Sequence, residues 1–125
     1  MNQADLFAIP VVGFTLDSVA KNLSNIVEHL KSIEYTHTGE TGSFSNDQQI
    51  LKHEIFKPVV EEIYRCIDRY IGILQHDVGG TTIVSSWSNI VKENQYIQPH
   101  THSNSYICGV IHLSSGSELA FRRPN

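Results

Sequence analysis

Long apolar runs are missing from this chain: none approaches the roughly 18 residues that cross a membrane, so no spanning helix is expected. A secretion signal is missing too. Leu6 to Phe14 is apolar, but Asp5 stands where such a signal carries its basic flank. Positive charge is scarce. Nine Lys and Arg stand against thirteen Asp and Glu, for a formal net charge of -4, so no field draws the chain to nucleic acid or anionic membranes. Cysteine is limited to Cys66 and Cys108, without motif spacing, and a reducing cytoplasm with both thiols free is the expected setting. There is no Cys-x-x-Cys, no H-E-x-x-H, no phosphate loop and no G-x-S-x-G. Internal repeats and low-complexity tracts are absent as well.

What remains describes one soluble domain. The chain has 125 residues, 40% hydrophobic and 18% charged, enough for a single core. Leu6 to Phe14 is β-prone, and Pro10 within it argues for an edge strand. Asp17 reads as a helix N-cap. After it Val19, Ala20, Leu23, Ile26, Val27, Leu30 and Ile33 recur at helical spacing. Residues 36–46 are turn formers and read as a surface loop, with Ser45 or Asn46 capping a short helical turn to Ile50 and Leu51. Pro58 suits the first turn of a second helix. Its stripe runs Val59, Val60, Ile63, Ile67, Ile71 and Leu74, and Asp77 to Gly80 ends it.

From Thr81 the composition turns β-branched. Thr81–Val91 reads as a strand whose second half alternates, with Trp87, Asn89 and Val91 on one face. A polar turn, Lys92 to Gln95, follows. Next come a strand through His100 and His102, a turn at Ser103-Asn104, a buried-looking strand from Tyr106 to Leu113, and a last strand from Glu118 to Arg123. Strands at this spacing suggest an antiparallel sandwich or barrel. Residues 1–80 are thus a mainly helical front part of one domain, and 81–125 its β-part.

The chemistry concentrates at Gln98-Pro99-His100-Thr101-His102. On a strand, side chains alternate, so His100 and His102 face the same way and offer two imidazole nitrogens to one metal ion. Pro99 stiffens the approach, and the following turn puts the pair at the mouth of a hairpin, where sites are commonly built. A third ligand is not evident. In a simple hairpin His112 falls roughly 20 Å away at about 3.3 Å per residue, and Glu118 is the sole carboxylate after the pair. The other histidines, His29, His37, His53 and His76, read as surface residues. Cys108, mid-strand, reads as a buried and inert thiol.

Trp87-x-Asn89, His100-x-His102 and Cys108-Gly109-Val110-Ile111-His112-Leu113 together resemble the signature of the 2-oxoglutarate/Fe(II)-dependent oxygenases of bacteria and their phages. That family reads W-x-N, H-x-H and S-G-V-x-Y-L. Its opening Leu-Phe-x-x-Pro-Val is also similar to Leu6–Val11 here, and its middle to Ser45–Leu51. The resemblance is concentrated in residues 85–122. It implies an α+β fold in which N-terminal helices pack on a double-stranded β-helix, or jelly roll, here partial. It implies Fe(II) and 2-oxoglutarate as cofactors, hydroxylation of a small-molecule or other substrate, and a bacterial or phage-infected cytoplasm. His100 and His102 fall at the metal positions, and Trp87, Asn89, Tyr96 and His112 are the pocket candidates.

The chain departs from the pattern at Cys108, at His112 and at His102, where the wider superfamily carries a carboxylate. The distal histidine and the basic residue that grips 2-oxoglutarate lie on later strands of the superfamily, and Arg122 and Arg123 come early for that role. A fragment, a short relative, or a barrel completed by a second copy each account for this. Open sheet edges favour a homodimer. Two other readings stand beside the oxygenase. One is a cupin-like metal or small-molecule binder, although the glutamate expected soon after H-x-H is replaced by Tyr106 and Ile107. The other is a structural or assembly protein in which both histidines are plain polar residues and Trp87 is a core residue.

Overall fold

The computed structural model describes residues 9–116 and 118–122. It is an α+β arrangement of three helices and a small antiparallel sheet, with the apolar core between the helices and the turns that join them. Leu6–Ala8 of the expected edge strand, Ser117 and residues 123–125 lie outside the described residues; Ile9 to Phe14 makes no strand.

The expected first helix is two. Helix α1 spans Asp17–Lys21 and helix α2 Leu23–Ser32, with Asn22 (φ -121°) breaking the path between them. Asp17 is not the N-cap. Leu16 holds that position without a side-chain bond, and Asp17 sits in the first turn, where its charge favours the helix dipole. The apolar stripe keeps its inward face: Val19, Ile26 and Leu30 are buried, while Leu23 is exposed. Helix α3 spans Lys57–Leu74 with Pro58 in its first turn. It ends earlier than expected, at Gln75 in the left-handed conformation (φ 55°), whose N–H reaches the Gly72 carbonyl at 3.2 Å. Val19, Ile26, Leu30, Ile50, Phe56 and Val59 form the core, and Leu113 is the residue of the late chain that packs on it. Among the described residues no helix is long and apolar enough to cross a membrane.

The sheet overturns one expectation outright. Residues 36–46 are not a surface loop; they contain strands β1 (Tyr35–His37) and β2 (Ser43–Ser45), paired antiparallel with Thr36 opposite Phe44. A third strand, β3 (Asn89–Ile90), pairs antiparallel with β2, so β2 is central. Polar composition hid the hairpin because its buried side chains are serines satisfied by hydrogen bonds. Ser45 is fully buried; its hydroxyl donates to the Asp47 carbonyl and accepts from the Ser88 N–H, both at 2.9 Å. Removing it leaves buried groups unpaired, at a cost of about 1–3 kcal/mol. Gly42 closes the turn at φ 80°, and a Cβ there would meet the Ile90 carbonyl oxygen at 2.9 Å, so only glycine lets β3 approach.

The late strands are the second correction. Of Thr81–Val91 only Asn89–Ile90 is a strand, with one parallel bridge between Ser86 and Gln49. The segments through His100–His102, Tyr106–Leu113 and Glu118–Arg122 form no ladder among the described residues. Tyr106 and Val110 are exposed, and so is Cys108, which is therefore not a buried thiol. Composition marks a segment as able to pair; a strand also needs a neighbour in register, and these segments meet none.

Candidate metal centre

The site is carried by a polar clamp. Lys92–Gln95 is the expected turn, closed by Gln95 N–H to the Lys92 carbonyl at 3.0 Å. From it, the Gln95 side chain donates to the Gly39 carbonyl at 2.7 Å, and the Tyr96 N–H donates to the Glu40 carbonyl at 3.1 Å. These bonds tie the chain to the turn between β1 and β2, and so lay Gln98-Pro99-His100 against the face of the sheet. An open cavity of about 320 Å³ results, lined by Thr38, Thr41, Ser43 and Asn89 on the sheet side and by Pro99 and His100 opposite.

His100 and His102 come together here without a strand. Their ring centroids are 4.8 Å apart at 76°. The Nδ1 of His100 lies 2.8 Å from the Gln98 carbonyl oxygen. A carbonyl only accepts, so Nδ1 carries the hydrogen, and in the neutral ring Nε2 keeps its lone pair for a ligand. A metal-binding histidine commonly has this backbone partner on its other nitrogen. Trp87 is half-buried, and its ring lies 5.5 Å from that of His102. Asn89, on β3, faces the same cavity as His100.

The other candidates do not join. Tyr96 contributes its backbone N–H, and its side chain is exposed. His112 is exposed and makes no ring contact or hydrogen bond with the pair. No three His, Cys, Asp or Glu side chains gather as a ligand set among the described residues.

Sequence reasoning missed the histidines away from this centre. His29 and His53 are half-buried and hydrogen-bonded to one another, and His37 Nδ1 is 2.6 Å from the Ser43 hydroxyl. His37 and His76 are exposed and fit the surface reading, the His76 ring lying 5.7 Å from that of Tyr106. No spacing rule joins positions as distant as 29 and 53. The chain matches no family model, no curated protein and no solved structure.

Proposed function

We propose that the chain is a domain of the Fe(II)/2-oxoglutarate-dependent oxygenase kind, with His100 and His102 holding the metal. One observation carries this reading. The W-x-N and H-x-H stretches, separated by a loop in sequence, meet in space: Trp87 lies against His102, and Asn89 shares a cavity with His100. The donor chemistry fits in kind, since neutral imidazoles suit Fe(II). It supplies two donors; among the described residues no third gathers with them, and no Lys or Arg lines the cavity. Bound there with 2-oxoglutarate, Fe(II) would supply the means of activating dioxygen, the oxidant for hydroxylation. The chain's own groups do the rest. Gln98 orients His100, Trp87 packs on His102, and Thr38, Thr41, Ser43 and Asn89 line the cavity together with the apolar Phe44, Ile97 and Pro99.

The test is an anaerobic Fe(II) titration with and without 2-oxoglutarate. The expected result is a visible charge-transfer band that requires both additions and disappears in His100→Ala. Metal bound at the pair with no response to 2-oxoglutarate would favour the cupin-like binder. Absence of both would favour the structural or assembly protein.

The same reading includes a homodimer through open sheet edges, in a cytoplasmic setting. Its support is the row of exposed apolar side chains in the late chain, Tyr106, Val110, Leu119 and Phe121 among them, which a second copy would cover. Light scattering at micromolar concentration is expected to return twice the chain mass, and a monomer mass would remove the dimer from the account.

A further inference from the structure

Outside the candidate metal centre, three ionisable side chains form one hydrogen-bonded chain. His29 Nε2 and His53 Nδ1 are 2.9 Å apart, and His53 Nε2 lies 2.6 Å from Asp47 Oδ2. His29 comes from α2; Asp47 and His53 come from the segment between β2 and α3. The two imidazoles meet edge to face, and Phe56 closes over His29 at 6.1 Å between ring centroids.

The hydrogens in this chain follow from its end. Asp47 also accepts the Gln49 N–H at 2.7 Å, and that bond, then the one from His53, holds its carboxyl below the ordinary carboxylate range. An ionised carboxylate only accepts, so His53 Nε2 carries a hydrogen. The 2.9 Å contact then has two workable states. With both rings neutral, His29 Nε2–H donates to His53 Nδ1. With one added proton, His53 Nδ1–H donates to His29 Nε2, and the charge sits beside Asp47. A second added proton leaves two N–H groups facing each other with no acceptor, and two like charges in contact.

We propose that Asp47, His53 and His29 form a pH-gated clasp that fastens α2 to the turns ahead of α3, stays closed with up to one added proton on the histidine pair, and opens on the second. The surrounding charges suit this. Lys52 lies near Asp47, Phe56 is apolar, and among the described residues Asp47–His53 is the sole ion pair. Glu28 and Lys31 on α2 and Glu54 beside His53 flank the clasp in sequence without bonding to it. The clasp also has a route to the candidate metal centre. The segment it holds pairs with Ser86 through Ile50 N–H to the Ser86 carbonyl at 3.2 Å and Ser86 N–H to the Gln48 carbonyl at 2.9 Å. Ser86 immediately precedes Trp87. The clasp is independent of whether a metal binds there.

Imidazole nitrogen NMR across pH 4–8, with amide hydrogen exchange of α2 followed in parallel, tests it. The expected result is unchanged α2 exchange with one added proton on the pair and faster exchange once both rings carry a proton, where two N–H groups and two like charges face each other. In His53→Gln, which cannot take a second proton at this contact, the pH-dependent acceleration of α2 exchange disappears. Acceleration of α2 exchange with the first added proton, or exchange in the unmutated chain that ignores the second, would overturn the clasp.

Discussion

Ile26→Ala is expected to remove about 2–5 kcal/mol of folding stability, the usual range for truncating a fully buried Ile. Ile26 has no exposed surface and sits among Val19, Leu30, Ile50, Phe56 and Val59. The core is small for the length of chain it organises, so the neighbours have little freedom to refill the space. Against a total stability of about 5–15 kcal/mol for ordinary domains, the loss is large enough to appear as a major drop in urea midpoint. Leu23→Ala is the control. It lies on the same helix at 40% exposure, and its effect is expected to stay below about 1 kcal/mol. Equal midpoint shifts for the two variants would mean that the helix does not face the core in this way.

The second large effect is on metal affinity. His100→Ala and His102→Ala are each expected to weaken binding about 100-fold or more, since a lost ligand costs more than the 10–100-fold typical of lost supporting groups. Both histidines are exposed, so folding stability is expected to change little, and loss of binding is read without loss of fold. His112→Ala is expected to bind metal like the parent, because His112 contacts neither member of the pair. A variant of His100 that binds normally would detach the metal from this centre.

Particular residues show what the sequence carried. The helices were legible because Val19, Ile26 and Leu30, and Val59 and Ile71, repeat at helical period and are buried at those positions. The break at Asn22 was not, since the stripe continues across it. The β1–β2 hairpin was hidden by its own chemistry: Ser43 and Ser45 are buried through hydrogen bonds, and periodicity arguments recognise only apolar faces. In the late chain the reverse error arose. Tyr106 to Leu113 has strand composition, but pairing is a property of two segments, and one segment's residues do not reveal whether a partner is at hand. The H-x-H pair was legible from spacing, yet it is irregular backbone, with His100 Nδ1 bonded to the Gln98 carbonyl, that brings the rings together, not strand alternation. Asn89 and His100 meet through the tether of Gln95 to Gly39, which no local pattern encodes. The Asp47–His53–His29 chain likewise depends on how α2 packs.

The most direct test of the central claim is the site of metal contact itself. Long-range imidazole nitrogen NMR with Zn²⁺, a redox-inert stand-in for Fe(II), would follow all seven histidines at once. The expected result is saturation at one equivalent, with coordination shifts confined to His100 and His102 and the Nδ1–H of His100 retained. Shifts at His29 and His53 instead, or at no histidine, would contradict a metal centre at the H-x-H pair.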